Sequence, residues 1–381
     1  MMGLPGARPA PHRLVAALAL ATALVAGAAA LPHPLPAPAA WHLLFAVGAL
    51  PMILAAMAYF VPVLTRTGAS PAALLAAPAL ALAAGLAIAG HFAGPLPSAR
   101  TWAPWLALAA AGGFAAWIAR RRRACIGHPN PCLAWYAAAL GFLALGLAAV
   151  AASALRPEWA APLRRFHMHA NLLGFMGLTA LGTLQVLLPT VVRLPDPDAP
   201  ARLRRHLPPA AAGATLVSLG AAFWPPLAVA GALLYAWPWA VLLRTASRLL
   251  RQHGHRNALP LLAGALAGLG LVLGQGAVHG VGAGLAPPRA SLPLFAIGFL
   301  LPLVSGALGQ LLPVWLRPGV QSAWHERARR RLAAGATLRG LVLPLAGMAA
   351  ALGYGDAPWL AALAALWLAV LAALTLADRD P

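Results

Sequence analysis

Five histidines, His42, His91, His167, His169 and His279, fall near one common end of successive apolar segments that carry almost no other ionisable group. Ionisable groups inside a bilayer are expensive and concentrate where there is function, and a neutral imidazole is a good ligand for haem iron or copper. A set at one depth therefore points first to a metal or haem site. Low-spin haem iron takes two imidazoles from opposite sides, so its ligands come from helices that face one another across a cleft. Three imidazoles on one ion would instead suit copper. His167 and His169 are two residues apart, about 200° around a helix, and so point to different sides. Gln275 and His279 are four apart and share a face, where a neutral amide could orient an imidazole or meet a bound ligand. Gly270, Gly274, Gly276 and Gly280 around them leave room for close helix approach. Ordinary readings stand beside these: His42 next to Trp41, and His167 nearer the surface, also suit interfacial polar residues.

The elements that must position these side chains follow from composition. The chain has 381 residues, 61% of them hydrophobic and 9% charged, with a mean hydropathy of +0.78. Apolar runs of about 20 residues recur along it, each long enough to span a hydrocarbon core. The expected fold class is all-α, a polytopic membrane helix bundle forming a single integral membrane domain over 1–381. Twelve helices are predicted, at 13–31, 40–64, 71–94, 103–119, 131–155, 167–192, 208–224, 226–243, 258–284, 291–316, 336–353 and 357–377. All 27 positive residues are arginines, nearly all in short loops, so the net charge of +20 encodes orientation and no nucleic-acid partner is expected. Alternate loops carry 21 arginines, against 5 in the intervening ones, with Arg339 inside the eleventh helix. This predicts both termini in the cytoplasm, the histidines outside, and Trp41, Trp102, Trp105, Trp159 and Trp359 as an outer aromatic belt. Arg8 and Arg13 ahead of an apolar, Ala-rich run also fit a cleaved signal peptide, whose loss would leave eleven helices without inverting the rest.

A repeat organises these helices. The second, sixth and tenth predicted helices end in Pro62-Val-Leu-Thr-Arg66, Pro189-Thr-Val-Val-Arg193 and Pro313-Val-Trp-Leu-Arg317, at intervals of 127 and 124 residues. The chain thus reads as three pseudo-repeats of four helices, roughly 1–130, 131–257 and 258–381. The first interval superposes His42 on His169, while Pro293 takes the equivalent place in the third unit.

Twelve helices in three arcs of four, with histidines near the outer ends of out-to-in helices and a His-x-His pair in Phe166-His167-Met168-His169, resemble subunit I of haem-copper oxidases and NnrS-like membrane proteins. The run from His169 through Gln185 to Pro189 is similar to a helix of small members of this wider group. The resemblance implies haem b, with copper as a second option, and a bacterial inner-membrane location. It also implies a role in respiratory redox chemistry or in nitric-oxide or copper response, with a respiratory-chain or periplasmic redox partner. An enzyme of this kind would be an oxidoreductase. In the oxidases a histidine near the start of the second helix binds low-spin haem, and His42 matches that place. The oxidase His-x-His starts the tenth helix, whereas here it starts the sixth. The oxidase His-His pair of the seventh helix and the sixth-helix His followed by Tyr have no counterpart, so a complete oxygen-reducing centre is not implied. His42 and His169 are the first expected ligands, with His91, His167 and His279 as a second set or distal pocket.

Other polar residues carry weaker signals. Cys125, His128 and Cys132 offer three soft ligands but no fourth, and no haem-attachment string is present. His253 and His255 lie among loop arginines, Arg339 is placed to snorkel to the inner interface, and Gln185 and Gln310 suit interhelical hydrogen bonds. A transporter of a metal or small molecule is the competing function. All seven acidic residues lie in loops, at helix boundaries or in the tail, which leaves a cation-coupled carrier without the intramembrane carboxylate it usually uses. A third reading is a non-catalytic assembly partner for a respiratory complex, with Pro293 marking a lost ligand position.

Overall fold

A backbone that crosses lipid must satisfy its own hydrogen bonds, and helices do so segment by segment. In the computed structural model, which describes residues 35–282 and 290–378, the apolar runs are accordingly helical and no strand occurs among the described residues. The helices are α1 (Ala37–Thr65), α2 (Ala76–Ala93), α3 (Ala99–Arg123), α4 (Cys132–Leu155), α5 (Pro157–Val191), α6 (Ala199–Phe223), α7 (Pro225–His253), α8 (Leu259–Gly280), α9 (Ser291–Leu316), α10 (Ala323–Leu332), α11 (Ala336–Ala351) and α12 (Ala357–Ala377). Ten spans among the described residues are long and apolar enough to cross a membrane, α10 with α11 counting as one. The 25-residue α6 adds another long helix. The protein is a multi-pass membrane protein. Leu338, Leu341 and Leu345 on α11 and Leu363, Leu366 and Leu374 on α12 are exposed, as lipid-facing residues are. The predicted helix 13–31 lies outside the described residues.

Several helices outrun the apolar stretches that predict them. The predicted 208–224 begins at Ala199, 226–243 continues to His253, and 103–119 extends over Ala99–Arg123. Hydropathy marks the hydrocarbon, whereas arginine is a good helix former and carries the same helix onward into the headgroup region. The loop after α9 contains an unpredicted short helix, α10. Its N-terminus is closed by a capping box between Ser322 and His325. Glu326 on α10 pairs with Arg329 at 2.6 Å and with Arg193 at the end of α5, tying this helix to the second unit.

The helices that carry the recurring Pro-x-x-x-Arg also carry the π-helical stretches, Leu43–Ala49 in α1, Ala170–Gly177 in α5 and Leu294–Leu300 in α9. These start 127 and 124 residues apart, and each follows directly on His42, His169 or Pro293. π-Helical turns are rare and gather at functional sites. At the opposite end, α1 and α5 stop in the same way. Arg66 and Arg193 adopt left-handed φ of 53° and 58°. Thr67 and Leu194 each donate an N–H at 3.0 Å to the carbonyl of Pro62 and Pro189, and Arg66 and Arg193 donate to Val63 and Thr190, a Schellman closure in both. In α9 the arginine departs, with Arg317 at φ −127°.

The prolines leave work for other side chains. Pro62 and Pro189 have no N–H, so the carbonyls four residues earlier lose their helical donor. Ser70 Oγ donates to the Ala58 carbonyl at 2.5 Å, and Arg202 Nη2 donates to the Gln185 carbonyl at 3.2 Å. Two expectations change at this end of the bundle. Arg339 does not snorkel: it is buried and donates to the Leu332 and Ala334 carbonyls at 2.9 and 3.0 Å, because the end of α10 folds over it. Gln185 donates to Leu181 of its own helix, and neither its Oε1 nor that of Gln310 meets a partner helix among the described residues. Toward the histidine end of α8 the expected close approach occurs at two of the four glycines: Gly270 and Gly280 receive Trp239 and Val229, whereas at Gly274 and Gly276 an added Cβ would meet nothing within 4 Å.

Candidate functional site

The histidine end of the bundle holds a cavity of about 450 Å³ between the first and second units. His42 enters it from α1, His91 from the last turn of α2 and His167 from α5, while Leu292 at the start of α9 closes one side. The walls are apolar, with Phe45, Ile88, Leu143, Leu147 and Phe175 among them. The size lies within the roughly 300–1,000 Å³ of cofactor and small-molecule sites.

Each of these imidazoles is oriented by a backbone carbonyl. His42 Nδ1 lies 2.6 Å from the Pro38 carbonyl, His91 Nδ1 lies 2.9 Å from that of Pro97, and His167 Nδ1 lies 2.9 Å from that of Gly146. A carbonyl can only accept, so the Nδ1 atoms of His42 and His91 bear the proton and their Nε2 atoms keep the lone pair, whereas His167 Nδ1 lies 2.9 Å from the Gly146 carbonyl and also 3.1 Å from the Asn171 amide nitrogen. The form with the proton on Nδ1 is the tautomer a metal-binding imidazole uses, with its second nitrogen fixed by the surrounding protein. Among the described residues none of the three Nε2 atoms makes a hydrogen bond, and all three residues line the cavity.

Local sequence explains how the rings are held. Gly94 closes α2 at φ 106°, and the chain turns back so that Pro97 reaches His91. Gly85 lets α2 lie against the π-helical stretch beside His42, since a Cβ there would sit 2.6 Å from the Ala46 carbonyl oxygen. Gly146 makes the equivalent allowance on α4. A Cβ there would come within 2.6 Å of Asn171 Nδ2, which donates to the His167 carbonyl at 2.8 Å. Phe92 joins the other two histidines: its ring stacks on His42 at 4.9 Å and meets His91 edge-on at 5.0 Å. His42 is also close enough to His91 and His167 for electrostatic interaction with both.

Two arginines complete the lining. Arg100, from the first turn of α3, reaches the Ser153 carbonyl at 3.4 Å, and Arg164 stands at the exposed rim. Neither has an ion-pair partner among the described residues. Both belong to the arginine-poor set of loops, where the sequence spends few positive charges.

The structure sorts the expected site residues. His42, His91 and His167 come together, and His167 proves to be a cavity residue, not an interfacial one, because α4 packs over it. His169 does not face His42 across this cleft. Its Nδ1 lies 2.8 Å from the Arg165 carbonyl, the same i−4 contact that His42 makes with Pro38, yet it is not part of the cavity wall. Equivalent positions in two units look into separate surroundings, and the helix periodicity that turns His167 inward turns His169 away. His279 is exposed on α8, and Gln275 Oε1 is buried without a partner; neither lines the cavity. Among the described residues no three His, Cys, Asp or Glu side chains converge on a metal position. Asn171, Phe92, Met168, Arg100 and Arg164 are cavity residues that sequence reading passed over. Asn171 lies one helical turn beyond His167, and the arginines stand on the arginine-poor side, which are the signals that could have found them.

The lining, mostly apolar with imidazole nitrogens and guanidinium groups among it, has the chemistry that a porphyrin with nitrogen ligands would need. Compared with protein-family models and with curated proteins, the chain matches none.

Proposed function

We propose that this protein binds haem b at the histidine end of the bundle, with axial ligands drawn from His42, His91 and His167. The observation that carries this reading is the triplet of carbonyl-fixed imidazoles presenting free Nε2 atoms to one apolar cavity. His42 and His167 enter from different units and are the first pair to test. His91 and Phe92 then form the remaining wall, where a small ligand or a ligand exchange would be controlled. Haem b held by these residues would supply a one-electron couple and a site for small diatomic ligands. The chain's own part is to hold the protons of His42 and His91 on Nδ1, exclude water with Phe45, Ile88 and Phe175, and fix the distance between ligand-bearing helices.

The arginine asymmetry supports an inner-membrane orientation with the arginine-rich end in the cytoplasm and the cavity toward the outer face. The resemblance to haem-copper-oxidase-like and NnrS-like proteins favours a role in respiratory redox chemistry or nitric-oxide response. A respiratory-chain or periplasmic donor would then supply electrons. The test is a reduced-minus-oxidised spectrum with pyridine haemochrome quantification on detergent-purified protein and on His42→Ala, His91→Ala and His167→Ala. Near-stoichiometric haem b that falls in His42→Ala or His167→Ala supports the reading. Folded protein that takes up no haem refutes it.

A further inference from the structure

The imidazoles at the histidine end are not equivalent, and Asn171 makes the difference. Among the described residues His42, His91 and His169 each have a single hydrogen-bond partner at Nδ1, the carbonyls of Pro38, Pro97 and Arg165, and each therefore holds its proton there. His167 Nδ1 has two partners, the Gly146 carbonyl at 2.9 Å and Asn171 Nδ2 at 3.1 Å. A further contact fixes the orientation of the Asn171 amide, since the atom 2.8 Å from the His167 carbonyl oxygen must be the nitrogen. One ring nitrogen thus stands between an acceptor and a donor and serves only one of them at a time. With the proton on Nδ1, His167 donates to Gly146 and its Nε2 carries a lone pair; with the proton on Nε2, Nδ1 accepts from Asn171. Neither form strands a polar group. The Gly146 carbonyl lies inside the unbroken helix α4 and keeps its helical N–H, while the Asn171 amide keeps the His167 carbonyl. Each form gains one hydrogen bond and gives up one, so the two are closely matched.

We propose that Asn171 is a positioning residue that lets His167 exchange its proton between Nδ1 and Nε2, so that one ring offers the cavity either a nitrogen lone pair or an N–H donor. The exchange is neutral: the Nδ1–H bond breaks, an Nε2–H bond forms, and a water molecule relays the proton. In the first form His167 serves as a nitrogen ligand. In the second it donates a hydrogen bond to a small polar ligand held in the cavity, such as a diatomic oxide. His42 and His91, each set by one carbonyl and each in contact with Phe92, stay in the ligand form. The role at a bound ligand rests on the haem reading, whereas the proton exchange belongs to the protein alone.

The experiment begins with haem-free protein in detergent, its histidines labelled with heavy nitrogen so that ring-nitrogen chemical shifts report each tautomer. His167 is assigned by the signals lost in His167→Gln. Wild-type His167 is expected to populate both tautomers within about fivefold of one another, while His42 and His91 hold the proton on Nδ1. Asn171→Leu removes the donor and Asn171→Asp keeps the shape but only accepts, so each is expected to move His167 toward Nδ1–H by about fivefold or more, a shift that loss of packing alone would not produce. A wild type in which His167 holds its proton on one nitrogen alone overturns the proposal, and that measurement needs no variant to fold. An unchanged ratio in both Asn171 variants overturns it as well. In reduced, haem-loaded protein the stretching frequency of added carbon monoxide reads the same ring from inside the cavity. A donor N–H lowers it, so the wild type should show a lower band that Asn171→Leu weakens about fivefold. No such band, with the exchange present, overturns the donor role. Protein that shows the exchange but takes up no haem refutes the haem reading, and with it the role at a ligand, while the exchange itself stands.

Discussion

Replacing Gly146 with alanine tests how the second unit holds His167. An added Cβ would stand 2.6 Å from Asn171 Nδ2, 3.3 Å from its Cγ and 3.5 Å from the His167 carbonyl oxygen. The amide must move, and with it goes the 2.8 Å hydrogen bond from Asn171 to His167. The Gly146 carbonyl that lies 2.9 Å from His167 Nδ1 is on the same residue, so any retreat of α4 also loosens the imidazole. Overpacking costs about 1–3 kcal/mol and the lost hydrogen bond about 1 kcal/mol, while alanine regains about 1 kcal/mol of helix propensity. The expected net is a destabilisation of about 1–3 kcal/mol. Disturbing a group that orients a ligand typically costs ~10–100-fold in affinity for the bound group. The control is Gly141→Ala on the same helix, where the new methyl meets nothing and stability should hold or rise. Thermal unfolding in detergent and haem titration of both variants give the answer. Indistinguishable melting and haem affinity for Gly146→Ala and Gly141→Ala would refute the positioning argument.

Gly85→Ala should be more damaging than Gly146→Ala, because its Cβ meets the Ala46 backbone carbonyl at 2.6 Å, where no side chain can yield; comparative melting curves check this. Ser70→Ala should cost about 1 kcal/mol by leaving the Ala58 carbonyl without the donor that Pro62 cannot supply, read by the same unfolding assay. His279→Ala and His253→Ala should leave haem content unchanged while His42→Ala and His167→Ala lose it, as measured by pyridine haemochrome; equal loss in all four would remove the cavity from the explanation. A membrane-impermeant thiol reagent should label Cys125 only from the cytoplasmic side and leave the buried Cys132 unmodified, so labelling of Cys125 in intact spheroplasts would reverse the proposed orientation.

Hydropathy alone determined the class of this protein and the order of its described long helices, because transfer of about 20 apolar residues into lipid is a local property of each segment. The spacing of Pro62, Pro189 and Pro313 likewise announced a period that reappears in the π-helical stretches and in the paired closures at Arg66 and Arg193. Helix ends were less legible, since arginine-bearing turns of α6 and α7 stay helical after the apolar signal stops. Spacing and depth named His42, His91 and His167 among five candidates but did not say which of the five would share a cavity. His42 and His169 share a repeat position and the same carbonyl contact, and that equivalence sends them to different surroundings. His167 joins His42 instead, because Gly146 and Gly85 allow α4 and α2 to close around one space, and Arg100 and Arg164 arrive there from separate units. A residue's type and depth are written along the chain, but which side chains share a cavity depends on how helices far apart in sequence rotate and approach, and only their packing decides that.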